Sequence, residues 1–116
     1  MSQEKKEQTL PEGITQAMID EAKVKHGANK VKFVDIMNED GNAVELTVLA
    51  IVPSRTVTGQ YRRYSETDPK KADDLLVKAC LLSHKEQVMA DDALVYGALN
   101  GIASLIPIRN GIVKNC

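Results

Sequence analysis

The most informative stretch of the sequence is Asp68-Pro69-Lys70-Lys71-Ala72-Asp73-Asp74-Leu75-Leu76-Val77-Lys78-Ala79-Cys80. Its aspartate suits the N-cap of a helix, and its proline suits the first helical position, where the missing N–H leaves nothing unpaired. Small and apolar residues then recur at intervals of three and four, which places them on one face of a helix: Ala72, Leu75, Leu76, Ala79 and Cys80. The stretch therefore predicts an amphipathic helix with one buried face over residues 68–82.

Two strands are predicted before this helix, over residues 30–37 and 44–52. Both are rich in Val, Ile, Leu or Thr, and between them lie strong turn formers that include Asp40-Gly41, so the pattern is typical of a β-hairpin. The second strand is apolar on both faces from Leu49 to Val52. A strand of this kind is covered on both faces, by helices of the same chain or by another molecule. We expect it to contact something beyond the hairpin.

The rest of the chain completes an α+β prediction: an N-terminal helix, the β-hairpin, then a three-helix C-terminal bundle packed on the hairpin. The other predicted helices cover residues 14–26, 55–65 and 90–106, and a polar linker covers residues 83–87. Gly97 and Gly101 lie four apart in the last helix, which favours close packing against a neighbour within the chain. We expect a disordered tail at residues 1–12, one domain at 13–107 and a second tail at 108–116.

The amino-acid composition argues against several classes of protein function. The 116 residues suffice for one domain. The net charge of −1 gives no global case for binding nucleic acid, and one Phe, three Tyr and no Trp offer few rings for stacking on bases. Two cysteines, Cys80 on the apolar stripe and Cys116, do not indicate a disulfide framework. With no signal-like or membrane-spanning run, the sequence predicts a cytoplasmic protein that does not enter a membrane.

Residues that could carry chemistry are few. His26 and His84 are the only imidazoles, and neither has a cysteine or second histidine at metal-ligand spacing. The carboxylate pairs Asp73-Asp74 and Asp91-Asp92 are explained by helix starts, where acids interact favourably with the macrodipole. There is no phosphate-binding glycine loop. We therefore expect a protein that is not an enzyme and that uses no metal and no cofactor.

Apolar surface in excess of what short helices bury indicates self-association or a protein partner. The candidate partner-binding residues are Leu49, Ile51, Leu99, Ile102 and Leu105, with Arg62 and Arg63 as a rim that steers an acidic stretch. An equally good interpretation places Leu99 and Ile102 wholly inside the domain.

The order of these features resembles the small tail assembly chaperones of long-tailed bacteriophages and related small phage tail proteins. The resemblance covers roughly residues 30–107: an apolar strand, the helix start Pro53-Ser54-Arg55, the Asp68-Pro69 helix with its Leu-Leu core, a polar linker, and an apolar helix that begins at Asp91-Asp92. Each motif is common by itself, and the resemblance rests on the order in which the motifs occur along the chain.

The resemblance implies a non-enzymatic protein of the infected host cytoplasm. Such a protein would bind the aggregation-prone tape measure protein and keep it soluble while the tail tube forms. The alternatives are a small virion structural protein, retained in the tail or with the capsid, and an unrelated host adaptor.

Overall fold

The computed structural model describes residues 10–108 and 111–116. Within those ranges the elements follow the order α1 (Gln16–His26), a 3₁₀ turn (Ala28–Lys30), β1 (Val31–Met37), β2 (Val44–Ile51), α2 (Arg55–Ser65), α3 (Pro69–Cys80), α4 (Lys85–Met89) and α5 (Asp92–Ser104). The predicted α+β fold, with an N-terminal helix, a hairpin and helices packed on it, is confirmed.

Helix α1 begins two residues later than expected, because Thr15 occupies its N-cap. The Met18 N–H donates to Thr15 Oγ1 at 3.1 Å, and Gly27, with φ of 105°, ends the helix. Ile14 lies before the helix and is buried.

The expected N-terminal tail needs a correction at its inner end. Residues 1–9 lie outside the described part of the chain. Leu10 is partly buried against Ile14, Ile19 and Leu49, and the Glu12 carbonyl oxygen is hydrogen-bonded to a ring nitrogen of His84. Residues 10–12 therefore belong to the packed domain, and the predicted boundary at residue 13 lies too late.

The hairpin follows the predicted pairing and turn. β1 and β2 are antiparallel, with Val34 opposite Val48 and a register shift between Ile36 and Met37. In the turn, the Asn38 N–H donates to the Ala43 carbonyl at 2.8 Å. Gly41 has φ of 72°, a left-handed conformation that glycine adopts without strain.

The helix start signals that follow the hairpin are also confirmed. Ser54 Oγ accepts the Val57 N–H at 3.1 Å at the start of α2, and Asp68 Oδ1 accepts the Lys71 N–H at 3.2 Å at the start of α3. α2 and α3 pack against each other. α3 stops at Cys80 rather than at residue 82, because Leu81 turns into extended backbone and pairs with Ala50 on β2.

The polar linker predicted at residues 83–87 is wrong. Ser83 is buried, and a short helix, α4, begins at Lys85 and places Val88 in the core. Four helices rather than three therefore follow the hairpin in the described part of the chain.

Helix α5 lies directly on one face of the hairpin, and its two glycines make this possible. A Cβ added at Gly97 would lie 2.5 Å from Ile36 Cγ2, and one added at Gly101 would collide with Val34. The predicted close packing within the chain is confirmed. α5 ends at Ser104, two residues before the predicted end, and Leu105 is its C-cap.

Over residues 48–50, both faces of β2 are covered by other parts of the same chain. Val48 and Ala50 point into the main core with α3 and α5, whereas Leu49 points the other way, toward Ile14 just before α1 and Ile19 on α1. Of the two alternatives for the apolar strand, cover by the chain itself is therefore correct for residues 48–50. Residues 111–116, by contrast, are exposed and form no helix or strand.

Candidate protein-binding surface

The structure places two of the predicted contact residues inside the domain. Leu49 is 2% exposed and Ile102 is 0% exposed. Leu49 is covered by the segment leading into α1, and Ile102 is turned inward by the close approach of α5 to the hairpin. Ile102 is therefore internal, as the alternative interpretation has it, and offers no surface to a partner. Leu49 offers almost none, although it lines a cleft together with Met18 and Leu82, and this burial argues against its assignment as a contact residue.

Three further predicted residues lie at the rim of the main core. Ile51, Leu99 and Leu105 are partly buried and pack against the core cluster. Ile51 lines a cleft at the end of β2, whereas Leu99 and Leu105 belong to α5 and its C-cap. These three residues thus lie on two different elements, the end of β2 and the C-terminal part of α5 with its cap.

Arg62 and Arg63 are exposed on α2 and point to different surroundings. The Arg63 guanidinium lies 5.9 Å from the centre of the Tyr64 ring, and the Lys71 ammonium lies 4.3 Å from the same ring. Arg62 instead lines an open cleft of about 490 Å³. Arg62 thus lines a concave site, whereas Arg63 lies beside an aromatic ring.

This cleft, here called the basic cleft, is lined by Lys30, Arg55 and Arg62 together with Ile106 and Pro107. It adjoins the cleft that Ile51 lines, because both include Pro53 and Ser54. Three cationic side chains around apolar walls suit an acidic peptide segment with an apolar residue, and charge of this kind mainly accelerates association.

A second surface, which sequence reasoning did not single out, is an exposed apolar patch on the hairpin. Phe33, Met37 and Val44, here called the sheet patch, are 48%, 46% and 49% exposed. Met37 pairs with Val44, and alternation along β1 puts Phe33 and Met37 on one face. This is the face on which Leu49 contacts the residues around α1, so the helix covers one end of the face and leaves the turn end open.

The sheet patch borders an unpaired strand edge. The Val52 N–H donates to the Lys30 carbonyl, so the even-numbered residues of β1 point their backbone groups toward β2 and the odd-numbered residues point theirs away. Within the described ranges, no strand pairs with that outer side of β1. The outward N–H and C=O groups of Val31, Phe33 and Asp35, here called the open edge, form a template for one more strand.

The outer side of β2 is closed by contrast. The Leu82 N–H donates to the Leu49 carbonyl at 2.8 Å, and the Leu49 N–H donates to Ser83 Oγ at 2.8 Å. Ser83 and His84 Nδ1 are 2.7 Å apart, and His84 Nε2 is 2.9 Å from the Glu12 carbonyl oxygen. This serine–histidine pair ties the N-terminal segment to β2. Ser83 is buried, and its hydroxyl oxygen already accepts the Leu49 N–H, so the role of this serine in the structure is to hold the fold together.

Other reactive groups are spread over the fold. Burial raises the pKa of the Cys80 thiol to about 11, which keeps it protonated and unreactive at neutral pH. Among the described residues, no three His, Cys, Asp or Glu side chains come together in a way that could hold a metal ion. Nor does any helix of those residues combine the length and apolarity needed to cross a bilayer.

Comparisons with protein families, with curated proteins and with solved structures found no match to this chain. The candidate surface therefore rests on the geometry of the hairpin and of the basic cleft.

Proposed function

We propose that this protein acts by binding another protein along the open edge of β1, as a tail assembly chaperone that keeps the tape measure protein soluble in the infected cell. The observation that carries the proposal is the unpaired outer edge of β1 beside the sheet patch. The sequence resemblance to small phage tail proteins supplies the identity of the client.

The open edge suits a long client of varied sequence. Strand addition gains its main-chain hydrogen bonds from any extended segment, whatever its side chains, and apolar residues alongside the edge add affinity. Phe33, Met37 and Val44 are in position to supply those apolar contacts. An aggregation-prone client exposes extended apolar segments of this kind, and capping them competes with their pairing with one another.

The basic cleft supports the same role in a second way. Lys30 lies just before β1 and also lines the cleft, so the cleft lies near the beginning of the open edge. An acidic stretch of a client is drawn to Lys30, Arg55 and Arg62, while the neighbouring extended segment pairs with β1. Neither contact requires a cofactor or a metal ion.

The test is co-expression of this chain with the tape measure protein and measurement of the soluble fraction of the client. The wild-type chain is expected to raise that fraction. A double variant, Phe33→Asp with Met37→Asp, is expected to lose most of the effect, since it places charge on the sheet patch without entering the core. Val24→Asp is the matched control, because Val24 is 88% exposed on α1 and outside both surfaces.

Two outcomes contradict the proposal. If the wild-type chain leaves the client insoluble, the chaperone function fails. If the Phe33→Asp, Met37→Asp variant protects the client as well as wild type does, the open edge is not the binding surface.

The alternative is a small structural protein that stays in the virion. It is favoured by residues 111–116, whose exposed Ile112 and Val113 are of a kind that assembly buries. Mass spectrometry of purified particles separates the two functions, because a chaperone is absent from the particle and a structural protein is present at fixed copy number.

A further inference from the structure

Two segments in the described part of the chain are not paired with any strand there, and they match each other. One is the open edge of β1, and the other is the segment of residues 111–116, Gly-Ile-Val-Lys-Asn-Cys. Ile112 and Val113 in this segment are 85% and 96% exposed. An exposed edge and an exposed β-branched segment are the two halves of a strand-addition contact.

The two segments also match in charge and apolarity. Along the edge, Phe33, Asp35 and Met37 share one face of the sheet. In the segment, Ile112 and Lys114 share one face when it is extended. Placing Lys114 opposite Asp35 brings Ile112 opposite Met37 if the strands are antiparallel, or opposite Phe33 if they are parallel. In either direction an ion pair and an apolar pair form on the same face.

We propose that residues 111–116 of one copy pair with the open edge of β1 in a second copy, so that two copies cover each other's edges. The second copy is the occupant because the described residues of one chain leave both the edge and the segment uncovered, and the two match in charge through Asp35 and Lys114. Reciprocal exchange closes the pair into a twofold dimer, whereas one-way exchange extends it into a chain. The proposal does not depend on the identity of any client.

The contact is small, since each of the two exchanged strands has only six residues, and interfaces near or below the lower bound of roughly 1,000 Å² are weak or transient. Association is therefore concentration-dependent and reversible. Residues 111–116 therefore cover the open edge reversibly, and a client that pairs with the same edge displaces them.

The test begins with light scattering of the full-length chain over a wide range of concentrations. Wild type is expected to pass from monomer to dimer as the concentration rises. Ile112→Asp is expected to raise the dissociation constant by about tenfold or more, because each of the two contacts loses an apolar pair and gains a charge. Val24→Asp, an equally exposed apolar residue away from the edge, is the control and is expected to leave the dissociation constant unchanged.

A charge exchange separates contact between copies from contact within one chain. Asp35→Lys and Lys114→Asp each put like charges opposite one another in a dimer of identical copies, so each variant alone is expected to be monomeric. When the two variants are mixed, both contacts of the mixed dimer bring opposite charges together, and dimers are expected to return. Thermal melts of each variant confirm that it is folded.

Several outcomes overturn the proposal. A wild-type chain that stays monomeric at every concentration does so, as does a dimer that Ile112→Asp leaves intact. So does a mixture of the two charge variants that stays monomeric, because a segment folded onto the edge of its own chain gains nothing from mixing.

Discussion

The two faces of the hairpin carry similar apolar residues, but one face is buried and the other remains partly exposed. The face that carries Val34, Ile36 and Val48 is sealed by α5, and these residues are at most 6% exposed. The opposite face carries Phe33 and Met37, which remain about half exposed. Apolar character alone therefore does not decide which face of the hairpin is buried. The helix above must also come close enough, and α5 does so through Gly97 and Gly101.

The largest expected effect tests the sealed face. Leu76 on α3 is 0% exposed and belongs to the core cluster that includes Val34 and Val48. Leu76→Ala is expected to lower the free energy of unfolding by about 2–5 kcal/mol, measured by chemical denaturation, because it leaves a cavity in a close-packed site. Leu75→Ala, at the half-buried neighbouring position, is the control and should cost clearly less. Equal losses at the two positions would contradict this account of the core.

The next effect tests the glycine contact. Gly101→Ala is expected to cost about 1–3 kcal/mol, because the added methyl group collides with Val34 on the strand below. Gly59→Ala in α2 is the matched variant, since nothing lies within 4 Å of the added Cβ. There the higher helix propensity of alanine should stabilise the protein by about 0.5–1 kcal/mol. The two predictions are confirmed if the melting temperature falls for Gly101→Ala and rises for Gly59→Ala. An unchanged melting temperature for Gly101→Ala would mean that α5 lies farther from the sheet.

The smallest effect tests the open face. Phe33→Ser is expected to change the free energy of unfolding by no more than about 1 kcal/mol, because half of the side chain is already in water. Its client-binding activity should fall far more than its stability. A loss of stability as large as that of Leu76→Ala would show that the sheet patch is covered in the folded monomer.

The sequence predicted the elements that carry their own local signals. Asp68 and Pro69 marked the start of α3, Ser54 marked the start of α2, and Asp40-Gly41 marked the turn, each through backbone chemistry confined to a few residues. Helix α4 was missed, because its five residues are too few to show a 3.6-residue period and its N-cap, His84, makes no side-chain cap bond.

The candidate surface was harder to predict, for a reason specific to this hairpin. β1 and β2 are apolar on both faces, so alternation does not tell which face a helix covers. Leu49 was assigned to a partner and Phe33 was passed over, although the fold buries the first and exposes the second. The cover on Leu49 comes from Leu10, Ile14 and Ile19, which lie more than 25 residues away in sequence. Long-range packing of this kind leaves no local pattern.

The hydrogen bond between His84 and the Glu12 carbonyl has a consequence for local opening. It holds the segment of residues 10–15, in which only Ile14 is buried, and segments with few buried contacts open at the lowest cost in free energy. We expect this segment to detach before the core beneath α5 opens, because that core contains fully buried residues such as Val48 and Ile102. Each detachment removes part of the cover on Leu49 and extends the apolar surface next to Phe33, so the local opening of this segment sets how much of the hairpin is available at any moment.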